Sequence, residues 1–231
     1  MPHPRIVFVD GLPGSGKSTA AQDIGRRCLG SRIFLESHPR HPLLVGEPDE
    51  KGAAFAHIHE VHSAASFGAA ALERLSAFLG SADVGVSFVF ESHPFQSTVR
   101  VLMQLDAPEP GLMKFWSELQ DRLKSADVRL LYFRETDPRQ AFTDIMRVRG
   151  TAWENYVVDA FNHYPFSKTR GLSGIDGVLK VIEQYSMLME RLLASWRFDV
   201  LTLPARPASY PERTEAFMRW LAAPAPEFLR A

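Results

Sequence analysis

A glycine-rich segment directly after an apolar run places the strongest constraint on the fold of this chain. Residues 6–9 read Ile-Val-Phe-Val, and residues 11–19 read Gly-Leu-Pro-Gly-Ser-Gly-Lys-Ser-Thr. The second stretch matches the phosphate-loop pattern G-x-x-x-x-G-K-[ST], which requires a strand before it and a helix after it. Its glycines let backbone N–H groups approach phosphate oxygens, and the helix dipole favours an anion at its first turn. The pattern predicts an α/β fold with a helix that begins near Lys17.

Two residues of this phosphate loop have specific expected tasks, and the others are expected to contact the nucleotide. Lys17 is expected to act catalytically by placing its ammonium group on the β- and γ-phosphates, and Ser18 to offer a hydroxyl ligand to Mg²⁺. A glycine-rich turn that binds nothing is the alternative interpretation. The cofactors that the loop implies are ATP and Mg²⁺. The residues expected to contact the nucleotide are Gly11, Gly14, Ser15, Gly16, Lys17, Ser18 and Thr19.

Apolar runs of strand length recur along the chain and alternate with helical periodicity. Most are nearly continuous rather than alternating, which is typical of strands that are covered on both faces of a parallel sheet. Strands alternating with helices predict an open α/β sheet, in which ligands bind beyond the carboxyl ends of the strands. The runs lie at residues 6–9, 32–35, 84–90, 128–133 and 200–203.

Length, charge and cysteine content exclude several classes of protein. The chain has 231 residues, a formal net charge of −1 and one cysteine, Cys28. This length is compatible with one domain that carries insertions or with two very small domains. The near-zero charge argues against a protein that binds nucleic acid by bulk electrostatics. One cysteine allows neither an internal disulfide framework nor a cysteine-built zinc site, and no apolar stretch is long enough for a bilayer. We expect a cytoplasmic protein without nucleic-acid or membrane partners. The formation of a homodimer is compatible with these features.

A tetrapeptide, Glu-Ser-His-Pro, follows two of the predicted strands. It occupies residues 36–39 and residues 91–94. Because proline ends each strand, Glu36 and Glu91 are expected to project from the same rim of the sheet. Two carboxylates at that rim suit two tasks, with Glu91 as the expected Mg²⁺ ligand and either glutamate as general base for an acceptor hydroxyl.

The histidines of the repeat offer a second source of a general base. His38 and His93 titrate near neutral pH in water, so either suits proton transfer in an acceptor pocket. The alternative is that Ser-His-Pro is simply a turn used twice, since chance can supply a four-residue match.

Two arginines end a segment that has clear helix signals at both ends. Asp137 and Pro138 predict the start of a helix, and Gly150 predicts its end. Arg147 and Arg149 lie just before that glycine. They are expected to form part of a mobile lid that neutralises charge on a transferring phosphoryl group. The alternative is a cationic helix end that the dipole favours.

Residues 155–170 combine aromatic and cationic side chains. Such a set suits a pocket for a ring-bearing acceptor, in which we place Tyr164. The same residues equally suit a core beneath a lid. The set comprises Tyr156, Phe161, His163, Tyr164, Phe166, Lys168 and Arg170.

Three histidines lie close together in an otherwise Ala- and Phe-rich stretch. They are His57, His59 and His62. His59-Glu60-Val61-His62 is one residue short of the His-Glu-x-x-His zinc spacing. We interpret them mainly as residues of a helix surface rather than as metal ligands.

In chain order, these features resemble the P-loop kinases of the thymidylate kinase and deoxynucleoside kinase group. The resemblance covers the phosphate loop at 11–18, the acids Glu36 and Glu91, and the segment 137–150. Details also resemble a bacterial thymidylate-kinase-like P-loop family of unassigned substrate. These details are Gly11–Lys17, Phe90–Glu91 and Gly171-Leu172-Ser173-Gly174 before a long helix.

The resemblance implies a fold and a division of the chain. The fold would be a P-loop NTPase three-layer α/β sandwich with a five-stranded parallel sheet. Residues 1–231 would form one kinase-like domain, with an acceptor-side helical insertion at about 38–83 and a lid region at about 137–172.

The sequence departs from the group at one place. Relatives generally follow the acid at the third strand with an arginine that helps to hold the acceptor, whereas Ser92 and His93 follow Glu91 here. The nearby substitutes are Arg40 and Arg100, and we place Arg100 in the acceptor pocket.

The sequence therefore favours a kinase that moves the γ-phosphate of a nucleoside triphosphate to a hydroxyl of a small molecule, either nucleoside-like or a natural product. A nucleoside monophosphate kinase is one alternative. A nucleotide-binding switch or accessory NTPase that acts on a protein partner is another, and the lack of an Asn-Lys-x-Asp motif argues against its GTPase version.

Overall fold

Five strands form one parallel sheet in the computed structural model, which describes residues 4–46, 58–206 and 209–223. The strands lie in the order β2-β3-β1-β4-β5. The five predicted strands are thus confirmed, although the third begins late because Gly85 has a φ of 82° that ends any extended run before it. The strands are β1 (Arg5–Gly11), β2 (Arg32–Phe34), β3 (Ser87–Glu91), β4 (Asp127–Arg134) and β5 (Asp199–Pro204).

Helices connect the strands and cover both faces of the sheet. The helix expected near Lys17 begins at that residue, and a π-helical turn (Phe95–Val99) leads directly into α4. The α-helices of the described residues are α1 (Lys17–Arg27), α2 (Ile58–Val61), α3 (Ala64–Ser81), α4 (Arg100–Gln104), α5 (Glu109–Leu123), α6 (Pro138–Arg149), α7 (Thr151–His163), α8 (Pro165–Thr169), α9 (Gly174–Leu193) and α10 (Tyr210–Ala222).

The central strand β1 contributes side chains to two separate apolar layers. Ile6 and Phe8 belong to the larger cluster, which includes residues of α3, α5 and α9. Val7 and Val9 belong to the smaller cluster, which includes residues of α1 and α10. Because successive side chains of a strand point to opposite faces, this division makes three layers, helix–sheet–helix. The predicted three-layer α/β fold is confirmed.

The structure describes part of the first predicted insertion and all of the second. The acceptor-side stretch contains a loop up to residue 46, then α2 and α3, while residues 47–57, including His57, lie outside the described residues. The lid stretch consists of α6, α7 and α8. Helix α6 has the predicted ends, because the Asp137 carboxylate accepts the Gln140 N–H at 2.9 Å and Gly150 follows Arg149 with a φ of 82°.

None of the described helices is both long and apolar enough to cross a membrane.

Candidate functional site

The phosphate loop leaves β1 at Gly11 and enters α1 at Lys17. Gly11 has a φ of 150°, and a Cβ atom there would lie 2.7 Å from the carbonyl oxygen of Phe133. Only glycine therefore allows the chain to turn away so close to β4. Lys17 is 5% exposed, and its Nζ donates to the carbonyl oxygen of Leu12 at 3.3 Å. The loop thus curves around the lysine ammonium group.

Glu91 ends β3, the neighbour of β1, and its carboxylate is buried beside the loop. One oxygen, Oε1, accepts the hydroxyls of Ser18 at 3.0 Å and Ser92 at 2.8 Å. The other, Oε2, accepts the backbone N–H of Glu36 at 2.8 Å. The Lys17 ammonium lies 4.0 Å from Oε1. This carboxylate therefore joins the phosphate loop to the end of the neighbouring strand β2.

Glu36 follows the edge strand β2 and is half-buried. Its Oε2 accepts the side-chain N–H of Gln96 at 2.7 Å and the Ser92 hydroxyl at 3.4 Å, and its Oε1 accepts the Ser97 hydroxyl at 3.2 Å. Both glutamates lie at the carboxyl-end rim of the sheet, where the repeat places them. The rim thus carries two carboxylates with different surroundings, one beside the ammonium of Lys17 and one among neutral donors.

The donor set beside the loop suits a hard divalent cation. Ser18 offers a hydroxyl oxygen and Glu91 a carboxylate oxygen, and they lie 3.0 Å apart. Oxygen ligands of this kind suit Mg²⁺, which proteins commonly hold through one or two carboxylates while waters and phosphates complete the shell. In the described residues, no group of three or more His, Cys, Asp or Glu side chains could hold a metal ion alone.

A cleft of about 1120 Å³ opens between the phosphate loop and the lid helices. Lys17, Ser18, Thr19, Glu36 and Glu91 line one end of it. A second wall comes from α6, α7 and the segment that follows, and it is largely aromatic. This wall contains Phe142, Trp153, Tyr156, Phe161 and Tyr164.

Arg100 lines the aromatic end of the cleft and is 7% exposed. Its Nε donates to the carbonyl oxygen of Gln96 at 3.0 Å, and its Nη1 donates to Gln104 Oε1 at 2.8 Å. The guanidinium also lies over the Phe161 ring, 5.5 Å from its centroid. Nearby, burial raises the pKa of Tyr164 to about 12, so this hydroxyl stays protonated at neutral pH. The structure thus brings both expected residues, Arg100 and Tyr164, into the cleft.

The two lid arginines lie on different sides of α6. Arg149 lines the cleft, and its guanidinium lies over the Trp153 ring, 4.7 Å from the centroid. Arg147 is 75% exposed and pairs with Asp144 at 3.2 Å. Residues two positions apart do not share a helix face, which explains the separation. The expectation that Arg147 also closes over the phosphates does not match its position.

The structure places neither histidine of the repeat among the residues that line the cleft. His93 is 3% exposed and stacks on His41, with ring centroids 4.6 Å apart. Burial lowers the pKa of His93 to about 4. His38 lies edge-on to Phe34 at 5.2 Å, and its Nδ1 accepts the N–H of Arg40 at 3.2 Å. Both histidines were expected in the acceptor pocket. The structure corrects this expectation, because each ring packs against another ring and neither lines the cleft.

Of the three clustered histidines, two are described. His59 lies against Tyr164 at 5.0 Å and within 4.0 Å of Glu60, and His62 lies edge-on to Phe67. Neither belongs to a metal-binding group of the described residues.

Two further residues of the site, Asp10 and Gln96, were missed by sequence reasoning. Asp10 is fully buried at the end of β1, where its carboxylate accepts the N–H groups of Gly11 at 2.8 Å and Phe95 at 2.7 Å. Burial raises its pKa to about 7, and the positive charge of Lys17 partly opposes that rise. A charged residue ending an otherwise apolar strand was the available signal for Asp10. Gln96 carried no signal, because its contact is with Glu36, a residue distant in sequence that follows β2.

Comparison with known proteins gives a weak structural likeness that carries no argument about fold or function. No family model matches this chain, and no curated protein matches it. Among solved structures, the chain is similar to the crystal structure of the YorR protein of Bacillus subtilis in complex with phosphorylated GDP. The two are 12% identical, the match covers 94% of this chain and 95% of that chain, and the TM-score is 0.47. Values of this size carry no argument about function.

Proposed function

We propose that this protein is an ATP-dependent phosphotransferase that moves the γ-phosphate to a hydroxyl group of a small molecule. One observation carries the proposal. The Glu91 carboxylate binds the Ser18 hydroxyl and the Glu36 N–H while lying 4.0 Å from the Lys17 ammonium. A phosphate-binding loop, a cation-binding oxygen pair and a second carboxylate therefore meet at one end of a large cleft.

The donor side of the reaction belongs to the loop and to Glu91. The loop amides and the Lys17 ammonium would stabilise negative charge on the β- and γ-phosphates. Ser18 and Glu91 would hold Mg²⁺, which neutralises charge on the phosphate oxygens when it is bound with the nucleotide. Arg149 lines the same cleft as the loop and would stabilise charge on the phosphoryl group during transfer.

The acceptor side belongs to Glu36. Because the Glu91 carboxylate is hydrogen-bonded to Ser18 and lies beside Lys17, we assign the role of general base to Glu36, which lines the same cleft. Its three neighbours, Gln96, Ser92 and Ser97, are neutral donors that orient the carboxylate without neutralising it. A carboxylate in that position suits proton removal from an acceptor hydroxyl. The aromatic wall of the cleft suits an acceptor with a flat or apolar ring.

A nucleoside monophosphate kinase is the second candidate, and Arg100 favours it. Arg100 lines the acceptor end of the cleft and is buried. A guanidinium in a pocket is well suited to the phosphate of an acceptor, which it can bind through two parallel hydrogen bonds.

A screen of acceptors tests the proposal. ATP turnover is measured with Mg²⁺ and panels of nucleosides, nucleoside monophosphates and hydroxylated natural products, and mass spectrometry identifies the phosphorylated product. Lys17→Ala should abolish transfer, whereas Lys114→Ala, a change at an exposed lysine of α5, should leave it unchanged. Full transfer by Lys17→Ala would refute the assignment. Stimulation by a protein and by no small molecule would favour a switch instead.

A further inference from the structure

Asp10 occupies an unusual position for a charged side chain. It is 0% exposed, at the end of the central strand β1. No bulk water solvates its carboxylate, so removing it from water costs free energy that its hydrogen bonds must offset. Three backbone N–H groups supply these bonds, from Gly11 at 2.8 Å, Phe95 at 2.7 Å and Gln96 at 3.3 Å.

These three donors belong to two different parts of the site. Gly11 is the first residue of the phosphate loop, and it donates to Asp10 Oδ1. Phe95 and Gln96 begin the π-helical turn on the acceptor side, and both donate to Oδ2. The turn has no side-chain cap of its own at Pro94. Asp10 therefore satisfies the first N–H groups of the turn with one oxygen and the loop with the other.

The connection continues from the turn to the proposed general base. The Gln96 side chain donates to Glu36 Oε2 at 2.7 Å, and Ser97 donates to Glu36 Oε1 at 3.2 Å. A continuous series of short contacts thus runs from Gly11 through Asp10 and Gln96 to Glu36. It joins the backbone that receives the nucleotide to the carboxylate that faces the acceptor.

We propose that Asp10 is a positioning residue that couples occupancy of the phosphate loop to the placement of residues 92–97 and of Glu36. This inference rests on the proposed function, because it assumes that a nucleotide binds the loop. A nucleotide that fixes the Gly11 backbone also fixes the Asp10 carboxylate, and with it the turn that holds Gln96. If Asp10 only filled a polar gap, replacing it would leave the response of the turn to binding at the loop unchanged, because Glu91 also connects Ser18 of the loop to Ser92.

Hydrogen–deuterium exchange read by mass spectrometry tests the coupling, with a non-hydrolysable ATP analogue and Mg²⁺ as the probe. In the unmodified protein, the probe should slow exchange in peptides over 11–18 and also in those over 92–97 and 35–38. In Asp10→Asn, slowing at 11–18 should persist while slowing at 92–97 falls by about fivefold or more, the low end of measured couplings between sites.

The matched control is Asp127→Asn, which removes a carboxylate from β4 that pairs with Arg5 at 2.9 Å on the rim opposite the cleft. It should behave as the unmodified protein does. Gln96→Ala keeps the backbone donors of Asp10 but removes the shortest contact between the turn and Glu36, while the bonds of Glu36 to Ser92, Ser97 and Glu91 remain. It should retain slowing at 92–97 and reduce it at 35–38, so the test does not depend on Asp10→Asn being folded.

The outcomes separate this inference from the proposed function. Slowing at 11–18 in the unmodified protein without any at 92–97 overturns the coupling and leaves nucleotide binding intact. Undiminished slowing at 92–97 in Asp10→Asn, or at 35–38 in Gln96→Ala, overturns the coupling as well. No slowing at 11–18 in the unmodified protein overturns nucleotide binding, and the coupling with it.

Discussion

The tetrapeptide Glu-Ser-His-Pro takes two different forms in this molecule. Residues 91–94 follow β3, which lies between β2 and β1, and Glu91, Ser92 and His93 are at most 3% exposed. Residues 36–39 follow β2, the edge strand, where Glu36 is half-buried and Ser37 is exposed. Ser92 has a φ of 67°, a conformation that few residues other than glycine adopt.

The comparison shows that position in the sheet, rather than local sequence, assigns a task to each copy. A central strand end is enclosed by its neighbours, so its carboxylate is buried against the phosphate loop and bonded to Ser18. An edge strand end has one neighbour, so its carboxylate faces the cleft among Gln96, Ser92 and Ser97. If this explanation is correct, identical substitutions in the two copies must have different effects.

Glu91→Gln is expected to have the largest effect. The substitution removes the negative charge beside Lys17 and Ser18, and it replaces one of the two oxygens that accept hydrogen bonds from Ser18, Ser92 and the N–H of Glu36 with an amide donor. Phosphotransfer should fall about 10³-fold, the upper part of the range for losing one preorganised electrostatic group. Turnover assayed across Mg²⁺ concentrations checks this, and a higher Mg²⁺ requirement is expected in the variant. Glu118→Gln, at the surface of α5, serves as the control and should change neither quantity.

Glu36→Gln is expected to have the next largest effect, and a different kind of effect. Loss of a general base should lower turnover about 10²-fold, while nucleotide affinity and the Mg²⁺ requirement stay unchanged because Glu36 contacts neither Lys17 nor Ser18. Turnover and binding of a fluorescent ATP analogue are measured in parallel. Weakened nucleotide binding would contradict the division of tasks between the two copies.

Local signals explain which parts of the fold were predictable. The phosphate-loop pattern fixes the start of α1 at Lys17, because glycines, strand and helix must come in that order. Asp137 with Pro138, and Gly150, likewise fix both ends of α6, since each residue acts on the backbone beside it. Continuous apolar runs predicted the parallel sheet, because a strand that is covered on both faces has apolar residues at successive positions.

The rest of the site depends on contacts between distant segments. The burial of His93 and the exposure of the corresponding segment after β2 follow from strand order, which the repeat itself does not encode. Asp10 accepts hydrogen bonds from the backbone N–H groups of residues 95 and 96. No pattern of side chains in the sequence predicts which backbone N–H groups will bond to a distant carboxylate. The separation of Arg147 from Arg149, by contrast, follows from helix geometry alone and was predictable.

His93→Ala and His38→Ala extend the comparison to stability. His93 is enclosed and stacks on His41 at 4.6 Å, so removing its ring should leave a cavity and cost about 2–3 kcal/mol of unfolding free energy. His38 is half-buried against one face of Phe34, and the same substitution there should cost about 0.5 kcal/mol. Urea denaturation measures both values. Equal losses would show that the two copies are packed alike, contrary to the structure.

The pH dependence of stability gives a smaller effect at His93. Burial lowers the pKa of folded His93 from 6.5 to about 4. The unfolded chain therefore takes up the proton first, so the stability that His93 contributes is complete above pH 6.5 and is lost as the pH falls towards 4. At pH 5 the loss is about 2 kcal/mol by linkage. His93→Gln should therefore lose less stability than the unmodified protein as the pH falls from 7 to 5. Asp10, with its pKa raised to about 7, adds stability as the pH falls over this range, but it is common to both proteins and cancels in the comparison.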